Sequence, residues 1–167
     1  MVDIVVNHNG YNGTVASIDY SKFVPFNNKS NYHFPYCTPD YSNLNNLVSL
    51  PNSLPATDDS VAPLSNKTLQ TQLQDCWMGD NSVPLPDLRT EDSYVAATYQ
   101  KWISKLAKDY SIDGLRLDTV LQVNTGFWNG FNRAIGGMYM VGEIFQASAS
   151  FVCNYQNFIP APLNYPV

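Results

Sequence analysis

Three short aliphatic runs, each closing on polar side chains able to do chemistry, set the strongest limit on what these 167 residues can fold into. The first, Val2-Asp3-Ile4-Val5-Val6, ends in Asn7-His8. The second, Leu115 to Val120, carries Arg116 and Asp118, and the third, Met138 to Phe145, carries Glu143. A nearly continuous β-branched run fits a strand covered on both faces, as in a parallel sheet. Thr90-Glu91-Asp92 offers an N-cap followed by acids that complement a helix dipole. From there Val95, Tyr99, Trp102, Ile103, Leu106 and Tyr110 recur at helical spacing, while Lys101, Lys105 and Lys108 fall off the stripe. Asp113-Gly114 turns into the second strand, where a period of two sends Arg116 and Asp118 to one face and Leu115 and Leu117 to the other. A second helix, roughly Thr125 to Ile135, stops at Gly136-Gly137.

Strands alternating with helices imply parallel pairing with right-handed crossovers, and in such folds ligands bind beyond the carboxyl ends of the strands. Residues 9–88 interrupt the pattern with a long stretch rich in Asn, Ser, Pro and Tyr, most biased from Ser42 to Ser65. An excursion of that length does something or forms a subdomain of its own. The reading therefore divides the chain into a strand at 1–8, an inserted subdomain at 9–88 and helices and strands at 89–167.

Asp118 and Glu143 end consecutive strands, a placement that suits retaining glycoside hydrolysis. That chemistry needs an ionised carboxylate to attack the anomeric carbon and a protonated one to serve the leaving oxygen, about 5–5.5 Å apart. Arg116, on the same face, should hold Asp118 ionised as nucleophile, and the apolar neighbours Ile144 and Phe145 should favour the protonated Glu143 as acid. Taken singly, each carboxylate is more often a helix cap or a salt-bridge partner. Their joint placement shifts the balance.

The charge of −5 and the lack of any Lys/Arg cluster exclude nucleic acid and anionic membrane as partners. No run is long enough to span a bilayer, and no N-terminal segment has the build of a signal peptide. Secretion marks are nevertheless present: sequons at Asn12, Asn28 and Asn66 fall in loop-like sequence. Cys37 and Cys76 bracket a polar stretch, which suits a disulfide, whereas Cys153 is either a free buried thiol or bonded outside this chain.

Asp3-Ile4-Val5-Val6-Asn7-His8, Gly114-Leu115-Arg116-Leu117-Asp118 and Val141-Gly142-Glu143-Ile144 resemble, in order, three blocks of the α-amylases, glycoside hydrolase family 13, most closely the secreted fungal type. Leu85-Pro86-Asp87-Leu88 resembles a further block, at the end of the subdomain inserted after the third barrel strand. The resemblance implies a partial (β/α)8 TIM barrel, strands three to five with their helices. It implies Asp118 as nucleophile and Glu143 as acid/base, with His8, Arg116 and Gln122 binding an α-glucan such as starch. It also implies a structural Ca2+ held by the side chains of Asn7 and Asp87 and by carbonyls near Gln74 and Gln122. Cys37 and Cys76 match the subdomain's disulfide, and Cys153 matches a cysteine whose partner lies further along.

Leu121-Gln122 stands where the fungal enzymes carry Lys-His, which contact sugar on the leaving-group side, and the insert from 44 to 65 lengthens the disulfide loop. A full barrel takes about 250 residues. The chain is therefore expected to be an internal piece of a secreted, monomeric parent, without the third catalytic carboxylate, inactive on starch by itself and poorly soluble. The competing readings are a 4-α-glucanotransferase of the same family, a non-catalytic glucan-binding fragment, and a structural βα domain with fortuitous motifs.

Overall fold

The computed structural model describes residues 1–39 and 69–166. Its sheet is parallel throughout, with β1 (Val2–Ile4), β2 (Gly114–Leu117), β3 (Tyr139–Gly142) and β4 (Ala161–Pro162) in spatial order β1-β2-β3-β4. A short helix α1 (Leu69–Asp75) precedes α2 (Ser93–Asp109), α3 (Thr125–Ala134) and α4 (Ala149–Asn154). Parallel neighbours cannot be joined by a hairpin, and α2, α3 and α4 are carried on the connections that link successive strands. Sequential order with helical connections is an arc of an α/β barrel.

Register follows from the hydrophobic period. Val2 pairs with Leu115, Ile4 with Leu117, Leu115 with Met140 and Leu117 with Gly142. The leucines of β2 face a core with Ile4, Val6 and Met140, closed by Val95, Tyr99 and Ile103 of α2 and by Phe127, Trp128 and Phe131 of α3. Each such side chain contributes about 1.5–3 kcal/mol by leaving water. Gly136 and Gly137 end α3 at φ +68° and +74°, a backbone region that side chains with a Cβ rarely enter.

Four expectations change. Asp92, not Thr90, caps α2: its carboxylate accepts from the amides of Tyr94 and Val95 at 2.9 and 3.2 Å. Thr90 is buried, its hydroxyl accepting from the amide of Asn124 at 3.3 Å. The α2 stripe is narrower than drawn, because Trp102 and the C-cap Tyr110 lie 41% and 73% exposed, beyond the arc that faces the core. Helices α1 and α4 went unforeseen, the first inside a polar stretch with no apolar period. A fourth strand of only two residues, too short to carry a period, follows α4.

The excursion returns to where it leaves. Amides of Asn9 and Tyr11 donate to Pro86 and Pro84 at 3.1 and 3.3 Å, and the Leu88 amide donates to the Asn7 carbonyl at 2.7 Å. Its described part packs on the common core through Phe26, Tyr32, Leu73 and Leu88. The Cys37–Cys76 disulfide closes a loop with a separation of 39 residues. By chain entropy that closure contributes about 4 kcal/mol. The insert at 44–65 and the Asn66 sequon lie outside the described residues.

Candidate active site

Sheet hydrogen bonds continue past the formal strand ends and hold both candidate carboxylates. The Asp118 amide donates to Ile4 at 2.9 Å, and the Glu143 amide donates to Leu117 at 2.8 Å. The register that pairs Leu117 with Gly142 therefore sets Asp118 beside Glu143, on neighbouring strands about 4.8 Å apart. Gly142 is needed here for space: a Cβ on it would lie 2.3 Å from Ile159 Cδ1 and 2.9 Å from Val120 Cγ2.

Arg116 reaches all three acids at this edge. Its Nη1 donates to Asp118 Oδ1 at 2.5 Å and to Asp3 Oδ1 at 3.0 Å, and its Nη2 lies 2.8 Å from Glu143 Oε2. Burial lowers the guanidinium's proton affinity, but hydrogen bonds to Asp3 and Asp118 and the charge of Glu143 raise it further, so it is a permanent cation. Glu143 is not wrapped in apolar side chains, as its sequence neighbours suggested. Ile144 turns into the core and Phe145 outward, so the carboxylate meets Arg116, the Tyr165 hydroxyl donating at 3.0 Å, and the Thr119 amide donating at 3.4 Å. Tyr165 forms an edge-on pair with exposed Phe145, centroids 5.3 Å apart.

His8 sits near enough to Asp118 to feel its charge. Burial lowers the His8 pKa, and Asp118 offsets part of that effect. His8 Nδ1 is 2.9 Å from Asn7 Oδ1, which also accepts from Thr119 Oγ1 at 2.5 Å. Thr119 opens the turn Val120–Gln122 with φ 49° and ψ 41°, left-handed backbone that a β-branched residue rarely adopts. The Gln74 side chain at the end of α1 donates to the Val123 carbonyl at 3.2 Å, beside Gln122. Asp87 pairs with His8 in an isolated antiparallel bridge. Gln74 thus meets the residue after Gln122 and Asp87 meets the residue after Asn7, and all four are buried.

Their chemistry fits a hard cation. A carboxylate and backbone carbonyls make an all-oxygen donor set in which Asp87 Oδ1 is buried with no hydrogen-bond partner, while the amide oxygen of Asn7 is engaged by Thr119 Oγ1. Among the described residues, no group of three or more His, Cys, Asp or Glu is arranged to hold a metal by itself, so carbonyls would have to complete the shell.

Sequence reasoning missed His33. It is buried, with Nδ1 2.7 Å from Asp87 Oδ2 and Nε2 3.0 Å from Glu91 Oε1. Burial lowers its pKa, yet the hydrogen bonds and charges of Asp87 and Glu91 prevail and push it up to about 10. Burial raises the Asp87 carboxyl, and His33 takes back part of that rise. Burial also acts on Glu91, but His33 and Arg89 hold it below the usual carboxylate range. A lone histidine in a polar stretch carries no local signal of partners 54 and 58 residues away.

Residues 1–166 match the alpha amylase catalytic-domain family. The chain belongs to that family. Over its whole length it is 43% identical to the alpha-amylase of Saccharomycopsis fibuligera and 40% identical to alpha-amylase 2 of Schwanniomyces occidentalis. It spans 28% of the length of each. The structure of an alpha-amylase from Malbranchea cinnamomea superposes with a TM-score of 0.79 at 38% identity, covering 99% of this chain and 29% of that one.

Beside that family pattern, the Leu121-Gln122 departure resolves into two different environments. Leu121 is 2% exposed and belongs to the core, so it offers no surface to a sugar, while Gln122 is buried in the turn. Asn12 and Asn28 are exposed, though Asn28 also accepts from the Ser30 amide at 3.0 Å. Cys153 is free and exposed, not buried.

Proposed function

We propose that these residues form part of a secreted α-amylase that cleaves α-1,4-glucosidic bonds of starch and related glucans internally and with retention. The observation that carries this reading is the placement of Asp118 and Glu143 side by side after the carboxyl ends of adjacent parallel strands, within an alpha amylase catalytic domain. Asp118 attacks the anomeric carbon while Glu143 gives its proton to the departing glycosidic oxygen. Glu143 then takes a proton from water, and the resulting hydroxide displaces Asp118 with a second inversion. His8 and Arg116 line the subsite of the sugar being cleaved, and Gln122 contributes toward the leaving-group side.

Asn7 and Asp87, with carbonyls near Gln74 and Gln122, would hold a structural Ca2+. When bound, it supplies a fixed charge that pins the inserted subdomain, 9–88, to the strand ends. Glycans at Asn12, Asn28 and Asn66 and a monomeric parent complete the reading. A second reading is glucan transfer, in which the leaving-group side, altered at Leu121-Gln122, admits a glucan hydroxyl in place of water.

The test uses the full-length polypeptide that carries these residues. Maltooligosaccharide hydrolysis followed by proton NMR should release the α-anomer first, and Asp118→Asn or Glu143→Gln should each lower kcat on the order of 10⁴-fold. Release of the β-anomer, or full activity in either variant, defeats the assignment. Accumulation of longer glucans would favour transfer.

A further inference from the structure

The proposed mechanism does not use His33, whose two ring nitrogens each meet a carboxylate. Asp87 Oδ2 lies 2.7 Å from Nδ1, and Glu91 Oε1 lies 3.0 Å from Nε2. Asp75 Oδ1 stands 3.8 Å from Nε2. The main chain fixes this position: the His33 amide donates to the Asp87 carbonyl at 2.9 Å, and the His33 carbonyl accepts from Trp77 Nε1 at 3.0 Å.

The consequence falls on the two oxygens of Asp87. Oδ2 is occupied by the His33 ring, whereas Oδ1 is buried without a hydrogen-bond partner. Metal-ligating carboxylates are commonly oriented by a hydrogen bond on the oxygen that does not face the ion. We infer that His33 is the positioning residue for Asp87, taking Oδ2 so that Oδ1 is presented to a hard divalent cation. This rests on the calcium reading above. Asp75, Asp87 and Glu91 outnumber His33 and Arg89, so the neighbourhood keeps a negative excess that attracts such an ion.

The two ring nitrogens can be separated experimentally, because an Asn amide places its donor where Nδ1 lies and a Gln amide reaches toward the place of Nε2. The full-length polypeptide is stripped with chelator and titrated with CaCl2 by calorimetry, with far-UV circular dichroism confirming the fold of each variant. His33→Gln should weaken Ca2+ binding about 10- to 100-fold, and His33→Asn should stay within about threefold of the native protein. Glu91→Gln, which leaves the Asp87 contact in place, should also stay within about threefold. If His33→Gln does not fold, the Asn and Glu91 variants still decide: a 10-fold or greater loss in either overturns the assignment. Equal losses in both His33 variants, or no loss in His33→Gln, overturn it as well. A native protein that takes up no Ca2+ defeats the calcium reading itself, and the inference with it.

Discussion

Thr119 donates its hydroxyl proton to Asn7 Oδ1 at 2.5 Å across a sequence separation of 112 residues, and so fastens the turn after β2 to the end of β1. The same residue sits in left-handed backbone and turns its amide toward Glu143 Oε2. Thr119→Ala removes the hydroxyl without easing the backbone and should cost about 1–2 kcal/mol in urea unfolding. Thr119→Ser, which keeps the donor, should recover most of that loss. Equal stability of the native and Ala forms would show that the hydrogen bond contributes nothing.

Arg116 holds Asp3, Asp118 and Glu143 with separate N–H groups of one rigid fork. Lysine has the charge but not the fork. In the full-length polypeptide Arg116→Lys should lower kcat/KM about 100-fold by letting the two carboxylates drift, with little change in stability. Activity within a few-fold of native would mean that Arg116 supplies charge alone.

Gly142 should tolerate no side chain. A Cβ would press on Val120, whose χ1 is stiff, and on buried Ile159, and overpacking of this kind costs about 1–3 kcal/mol. Thermal unfolding of Gly142→Ala reads this directly, and an unchanged midpoint would show that both neighbours give way.

Burial pushes the phenols of Tyr20, Tyr32 and Tyr99 up, Tyr20 to about 12. Because the fold favours their neutral forms, stability should be unaffected below the ordinary tyrosine value of about 10 and fall as the pH climbs through 12. Tyrosinate absorbance should therefore show part of the 11 tyrosines titrating only as the chain unfolds. Smooth titration of all of them near pH 10 contradicts this.

The sequence by itself determined whatever repeats locally. A period of two separated Leu115 and Leu117 from Arg116 and Asp118, a helical period found Val95, Tyr99 and Ile103, and the glycine pair marked the end of α3. Those patterns survive because one buried face is enough to select them, and they sufficed to place Asn7, Asp118 and Glu143 at strand ends. Tertiary structure alone decided which groups meet there. That Arg116 reaches Glu143 as well as Asp118, that Thr119 takes a left-handed turn, and that His33 joins Asp87 to Glu91 depend on contacts between distant segments, and no local period records them. The two-residue strand β4 and the helix α1 were hidden for the same reason, being fixed by neighbours and not by their own hydrophobic rhythm.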